Sequence, residues 1–311
     1  MTDRSPSRRE VTSWLLLGTC AAALPRCTAS SDADDGSDGP SGDSAASSVS
    51  STTPSTAGTD SGWGSAGDWA VGGTAAMVAK SAYRDPFADA DVTCSLTCST
   101  TEGPCTADTA DREDISEGWT GLPMRMLFRV VDPDCVPVEG ATVVVWHTQR
   151  TGVYSGVTPS GAFCYGDDPD AENHLYFRGS QVSDADGVVA FDSCFPGWYS
   201  SRAPHVHFQV LLGGSLYVTG QVVFDDALCE EIYGTHPEYA EFGLPDTTIA
   251  TDTVVGGEDD PTPYIVATER QDDGALLAWK TLVIRQSLGD DLCAAADGAG
   301  GGGQPGGGGP P

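Results

Sequence analysis

The chain has 311 residues and a formal net charge of −30 at pH 7. Its 15 Lys and Arg residues are far outnumbered by 45 Asp and Glu residues, which excludes the cationic surface that nucleic acid phosphates require. The length allows one or two domains, and we expect one, because the composition of both ends cannot bury a core.

Residues 1–27 have the pattern of a signal peptide. Arg8 and Arg9 precede a short apolar run, and paired arginines in this position are typical of the twin-arginine export route. The run is shorter than the roughly 20 residues of a membrane-spanning helix. We therefore predict an exported protein (periplasmic, at the cell surface or secreted). Cys27, or alternatively Cys20, is a candidate for a lipid anchor to a membrane.

Two low-complexity segments flank the predicted domain. Residues 28–62 are rich in Ser, Asp and Gly, and residues 294–311 are mostly Gly and Pro. Neither composition can bury enough apolar surface to offset the entropy of ordering the chain, so we predict a disordered linker and a disordered tail. The globular domain is predicted to span residues 63–293.

The cysteines of this domain predict disulfide bonds. Their even number in a chain predicted to be exported favours pairing, although the sequence leaves the connectivity open. The spacing of Cys94 and Cys98 also suits zinc, but no second pair has the spacing of a zinc finger, so disulfides are favoured. The eight residues are Cys94, Cys98, Cys105, Cys135, Cys164, Cys194, Cys229 and Cys293.

The elements predicted along the chain are mainly short strands. A short helix is expected near residues 73–80, and a hairpin turn at Gly213-Gly214-Ser215. Many short strands separated by turns, with long loops and little helix, indicate an all-β fold, an antiparallel β-sandwich. The predicted strands are 124–131, 141–146, 188–191, the segment from 205, 216–224, 264–269 and 275–284.

The strand that begins at His205 carries a candidate metal site. His205 and His207 alternate with Val206 and Phe208, and successive side chains of a strand point to opposite faces. The two imidazoles therefore share one face, and their tips can converge on one ion, since metal–nitrogen bonds are about 2 Å long. Arg202 lies three residues before the first histidine.

Two loop tyrosines suggest which metal these histidines bind. Tyr154 follows the strand 141–146, and Tyr199 precedes Arg202. A phenol normally holds its proton to about pH 10, but a highly charged cation stabilises the phenolate. Ferric iron is hard and prefers anionic oxygen ligands, so the set of two tyrosines and two histidines favours iron(III). A copper or zinc site on the histidine pair is the alternative, for which tyrosines are poor ligands.

In these tyrosine, arginine and histidine residues and the motifs around them, the chain resembles the intradiol ring-cleavage dioxygenases, the family of catechol and protocatechuate 3,4-dioxygenases. The resemblance is greatest to exported bacterial relatives and covers about Cys94 to Ile284. Seven motifs in the order of the family make a chance resemblance improbable. They are TEGPC (101–105), DISEG (114–118), VVWHTQRTGVYSG (144–156), SDADG (183–187), PGWY (196–199), RAPHVHFQV (202–210) and TGQVVFDDAL (219–228).

The resemblance implies a mononuclear non-haem iron(III) cofactor and a role for each matched residue. Tyr154 matches the equatorial tyrosinate ligand and Tyr199 the axial one, with His205 and His207 as the histidine ligands. The implied catalytic residues are Arg202 beside the substrate, Tyr199, and Gln221, which matches a glutamine close to the ligands. The implied substrates are a small aromatic diol and O2, and ring cleavage between the hydroxylated carbons gives a muconate-type dicarboxylate.

Three departures from the family pattern bear on these expectations. An aspartate often follows the Trp-His pair in exported relatives but is missing after His147, which we leave outside the iron ligands with no assigned role. The short interval from Tyr199 to Arg202 predicts a more open pocket. The helical dimerisation region of the catechol enzymes is missing, which leaves the oligomeric state open. Since a fold alone does not establish catalysis, a secreted module that binds carbohydrate or a cell surface is the alternative function.

Overall fold

The computed structural model describes residues 69–88 and 93–295. The predicted signal peptide (1–27) and linker (28–62) lie outside the described residues, as does the predicted tail (294–311) apart from its first two positions. Within the described part of the chain, we find no helix with the length and apolar character needed to cross a membrane.

Eight strands in the described residues form two four-stranded sheets, with the order β4-β1-β8-β7 in the first sheet and β3-β2-β5-β6 in the second. The chain is therefore a β-sandwich, as predicted. The strands are β1 Pro123–Val131, β2 Ala141–Trp146, β3 Arg178–Val182, β4 Val188–Cys194, β5 His205–Leu212, β6 Ser215–Val223, β7 Ala267–Arg270 and β8 Leu276–Val283.

Pairing within the sheets is antiparallel with one exception. β1 and β8 pair in parallel, from Met124 opposite Leu276 to Val131 opposite Val283. The predicted turn at Gly213-Gly214 is confirmed and joins β5 to β6, and both glycines adopt the positive φ angles that such a turn needs. β3 was not predicted, because its sequence, RGSQV, lacks the run of β-branched residues that marks a strand.

Helical structure is sparse among the described residues. The longest helix, α2, begins after Asp225, whose carboxylate accepts hydrogen bonds from the amides of Ala227 and Leu228. The helix predicted near residues 73–80 is wrong, because two short 3-10 turns occupy this region and Gly73 has a φ of 82°. The helices are α1 Gly161–Cys164 and α2 Asp226–Thr235, with 3-10 turns at Thr74–Ala76, Lys80–Ala82, Ala171–Asn173, Ala240–Phe242, Ile249–Thr251 and Thr262–Tyr264.

The core lies between the two sheets, and β5 shows how this places the histidines. Val206, Phe208 and Val210 belong to the main hydrophobic cluster. His205 and His207 point to the opposite face of the sheet, where loops rather than the first sheet cover them. The candidate site is therefore on the outer face of the second sheet.

Six of the eight domain cysteines form disulfides, which is consistent with an extracellular protein. The pairs are Cys94–Cys135, Cys98–Cys293 and Cys105–Cys164. The expectation that all eight would pair is wrong, because Cys194 and Cys229 are free and buried in different hydrophobic clusters. Cys94 and Cys98, whose spacing also suits zinc, are both in disulfides. Neither therefore has a thiolate that could bind zinc.

Candidate metal centre

Four side chains converge on one point on the outer face of the second sheet. His205 and His207 come from β5, Tyr154 from the loop after β2, and Tyr199 from the loop after β4. The Tyr154 hydroxyl lies 3.1 Å from Nε2 of both histidines and 3.5 Å from the Tyr199 hydroxyl. The two Nε2 atoms are 3.1 Å apart, and the Tyr199 hydroxyl is 3.3 Å from His205 Nε2.

These separations fit a single metal ion. The corners of a tetrahedron with edges of about 3.3 Å lie about 2 Å from its centre, the usual length of metal–nitrogen and metal–oxygen bonds. Within residues 69–88 and 93–295, no group of three or more His, Cys, Asp or Glu side chains is placed to hold a metal ion. The donor set is thus two imidazoles and two phenols, which suits ferric iron better than zinc or copper.

Burial and hydrogen bonding keep both histidines in the form that binds metals. Desolvation, followed by repulsion from Arg202, lowers the pKa of His205 to about 3, so its imidazole is neutral. Its Nδ1–H donates to the Ala203 carbonyl oxygen at 2.7 Å, which leaves the Nε2 lone pair free. Burial also lowers the pKa of His207, whose ring stacks on Trp146 at a centroid distance of 4.9 Å.

The Tyr154 phenol needs a cation to ionise. Burial, with the neighbouring Tyr199 as the next cause, raises its pKa well above the usual value. A metal ion would reverse this preference, and binding would release the phenol proton. The Tyr154 amide donates to the Cys164 carbonyl oxygen at 2.9 Å, and the Arg178 guanidinium lies 5.9 Å from the Tyr154 ring centre.

Arg202 lies beside the four donors in a fixed orientation. Its Nη1 is 3.4 Å from His205 Nε2, and its Nη2 donates to Gln221 Oε1. Gln221 Nε2 in turn donates to the Thr101 carbonyl oxygen at 2.7 Å. The structure therefore brings Gln221 together with Arg202 and the four candidate ligands, as the sequence suggested.

Sequence reasoning missed Asp252, which accepts a hydrogen bond from Arg202 Nε at 2.9 Å and another from the Ala203 amide at 2.8 Å. Burial alone would raise the pKa of this carboxyl, but the Arg202 guanidinium, together with other groups that include the Val254 and Val255 amides, lowers the net pKa. Asp252 is thus an anion that holds the arginine.

His147 is not one of the metal-facing residues. Its Nε2 is 2.7 Å from Ser193 Oγ, and its Nδ1–H donates to the Thr148 carbonyl oxygen at 2.8 Å. It stacks on Phe177, and burial lowers its pKa to about 4. This neutral imidazole joins the end of β2 to β4, which gives a structural role to a residue for which the sequence offered none.

Two motif glycines are required by close approaches at the site. Gly103 of TEGPC has a φ of 77°, and a Cβ there would lie 3.2 Å from His207 Cε1. A Cβ on Gly197 of PGWY would lie 2.2 Å from the Gln149 carbonyl oxygen, a distance that no side chain can occupy. Gly103 thus lets backbone pack against His207, and Gly197 lets the loop before Tyr199 pack against the backbone of residues 149–152.

The four candidate ligands and Arg202 are nearly buried. None of the four side chains is more than 6% exposed, and Arg202 is 8% exposed. Phe163 of α1 packs edge-on against Tyr199, with ring centres 5.9 Å apart. The long loop between β2 and β3 therefore covers the ligands despite the short interval from Tyr199 to Arg202.

Comparison with solved structures finds dioxygenases of this fold. An intradiol ring-cleavage dioxygenase from Tetranychus urticae is 27% identical over 62% of this chain and 95% of its own, with a TM-score of 0.54. A second solved dioxygenase is 28% identical with the same coverage and a TM-score of 0.52. No family model and no curated protein matches the sequence.

Proposed function

Because the chain belongs to the intradiol ring-cleavage dioxygenases, we propose that it is an exported iron(III) dioxygenase that cleaves catecholic rings with O2. The carbon–carbon bond between the two hydroxylated carbons breaks, and both oxygen atoms of O2 are incorporated. The product is a muconate-type dicarboxylate. The convergence of two phenol and two imidazole donors, each 3.1–3.5 Å from at least two of the others, carries this proposal.

We assign the metal to Tyr154, Tyr199, His205 and His207. When bound, iron(III) would supply a Lewis-acidic centre that holds the diol and makes its ring reactive towards O2. Two neutral imidazoles and two phenols that ionise on binding match the charge preference of this ion. The nearly complete burial of these side chains also excludes bulk water from the reacting groups.

Tyr199 and Arg202 have separate tasks in this proposal. Tyr199 is the most exposed of the four ligands, and as a phenolate its oxygen is placed to accept a proton from the incoming diol. Arg202, oriented by Asp252 and Gln221, is aimed at the metal side of the site, where negative charge develops on the ring. A fixed guanidinium in a dry site stabilises such charge without reorganising.

We propose that the chain reaches its location through the predicted signal peptide. The three disulfides support an oxidising compartment, where such bonds persist. The route through the twin-arginine system and a lipid anchor at Cys27 or Cys20 remain predictions from the sequence.

Spectroscopy and oxygen uptake on the purified protein test the function. We expect one iron per chain, a visible tyrosinate-to-iron charge-transfer band, and O2 consumption with catechol, hydroxyquinol or protocatechuate. The Tyr154→Phe variant should lose the band or the metal, whereas Tyr217→Phe, a change on β6 remote from the ligands, should keep both. Full iron occupancy without colour would overturn the metal assignment. Coloured protein without O2 uptake on any diol would favour the non-catalytic binding module.

A further inference from the structure

Lys280 lies on the inward face of β8, in a part of the sandwich that is otherwise apolar. Leu276, Ala278 and Leu282, which share its face of the strand by alternation, all belong to the main hydrophobic cluster. The Lys280 side chain therefore extends between the sheets, where it is partly shielded from solvent. One of its three N–H groups donates to the Ile265 carbonyl oxygen at 2.8 Å.

A cavity of about 810 Å³ adjoins this ammonium. Its walls include Phe208 and Val222 from the inward face of the second sheet, and Tyr264 beside the start of β7. This volume lies within the range of small-molecule sites, about 300–1,000 Å³. Phe208 points away from the face of β5 that carries His205 and His207, so the cavity and the candidate metal centre lie on opposite faces of this strand, and Gln221 of β6 both lines the cavity and bonds Arg202.

The Lys280 cation forms no ion pair within the described part of the chain, and Asp260, the carboxylate that lines the cavity, is exposed. None of the ion pairs formed by residues 69–88 and 93–295 includes Lys280. Burial lowers its pKa to about 8, so the group is still mostly protonated at pH 7. A buried charge is costly unless it is paired, and the two remaining N–H groups are available for an anion.

We propose that this cavity binds an aromatic monocarboxylate, with its carboxylate on Lys280 and its ring against Phe208 and Tyr264. The charge of the head group is complementary to the ammonium, and the aromatic walls suit a planar ring. The cavity has room for one or two fused rings. None of the four candidate metal ligands lines the cavity, so binding here does not need the metal.

Calorimetric titration of the iron-loaded protein with 2-naphthoate and its neutral analogue 2-naphthamide tests the proposal. We expect wild-type protein to bind the carboxylate at least tenfold more tightly than the amide. Lys280→Met should lose this preference, Lys280→Arg should largely keep it, and Lys80→Met, a surface control, should behave like wild type. Thermal unfolding of each variant checks that it is folded.

The visible spectrum, recorded in the same titration, separates this site from the metal centre. Binding in the cavity should leave the charge-transfer band in place. Equal affinity for the acid and the amide in wild-type protein would overturn the proposal. So would naphthoate binding that shifts the band and survives Lys280→Met, because the carboxylate would then be on the metal.

Discussion

Arg202 and Asp252 form a buried ion pair with an N···O distance of 2.9 Å, and the Asp252 side chain is fully buried. The same carboxylate oxygen also accepts the amide of Ala203, next to Arg202 in the chain. Two bonds to one anion therefore fix both the backbone and the guanidinium of the arginine that faces the candidate ligands. Asp252 is a positioning residue, because it acts through Arg202.

The first prediction concerns this pair. Asp252→Asn keeps the shape of the side chain but removes its charge, so Arg202 should lose its orientation while the four ligands stay in place. We expect kcat to fall about tenfold, within the range for residues that support an active-site group, with the charge-transfer band unchanged. Arg202→Ala should lower kcat further, by about 10²–10³, and also keep the colour.

Asp259→Asn is the matched control, since Asp259 is exposed on the same segment. It should leave kcat, KM and colour unchanged. Full turnover in Arg202→Ala would show that the arginine has no catalytic role. Loss of iron from Asp252→Asn would show that Asp252 supports the ligands directly instead of the arginine.

Arg178 is the second arginine near the ligands, and it is fully buried. Its Nε donates to the Ser155 carbonyl oxygen at 2.8 Å, and its guanidinium lies 5.9 Å from the Tyr154 ring centre. Burial lowers its pKa to about 10, so it stays charged at neutral pH. No carboxylate among the described residues pairs with it. An ionised Tyr154 would place a negative charge close to this guanidinium.

Arg178→Met should therefore weaken iron binding. We expect an increase of about 10- to 100-fold in the rate at which a chelator removes iron, because Tyr154 loses both a nearby cation and the support of Ser155. Arg178→Lys, which keeps the charge, should give a smaller increase. Arg129→Met, which alters an exposed bond to the Asp186 carbonyl, is the control. Equal removal rates in Arg178→Met and wild type would contradict the role.

The disulfide Cys105–Cys164 packs in the same buried cluster as Tyr154 and Tyr199. Arg178 Nη2 donates to the Cys105 carbonyl oxygen at 2.6 Å, and the Cys164 carbonyl oxygen accepts the Tyr154 amide at 2.9 Å. Both cysteines thus hold groups around Tyr154 through their backbones. Cys94–Cys135, in contrast, lies outside this cluster and closes a loop of similar length.

This pair of disulfides allows a matched comparison. The closed loops, with separations of 59 and 41 residues, predict a similar loss of about 4 kcal/mol when either bond is removed. Cys105→Ser/Cys164→Ser should also release iron faster to a chelator, while Cys94→Ser/Cys135→Ser should lower only the unfolding temperature. The prediction fails if the two double variants hold iron equally well.

The candidate ligands could be predicted because their signals are local. Alternation along β5 puts His205 and His207 on one face, and short motifs mark Tyr154 and Tyr199. Asp252 has no local sequence signal of this kind, since it is one of 45 acidic residues. It contacts Arg202 only because folding brings together residues that are distant in sequence. The parallel pairing of β1 with β8 was missed for the same reason, as strands so distant in sequence leave no local trace of their pairing.

The lowered pKa of Lys280 gives the last prediction. Between its folded pKa of about 8 and the ordinary value of 10.5, the unfolded chain binds a proton that the folded chain does not, so stability rises with pH in this window. Below about pH 8 the burial cost is fully present. Lys280→Met removes this cost and should be more stable than wild type at pH 7, by about 1 to 3 kcal/mol. The gain should vanish as the pH passes 10.5, and the titration of Asp260 and Tyr264 cancels in the difference because both proteins contain these residues. Urea unfolding of both proteins at pH 7, 9 and 10.5 measures the difference, and a gain that is independent of pH would show that packing, not charge, is its cause.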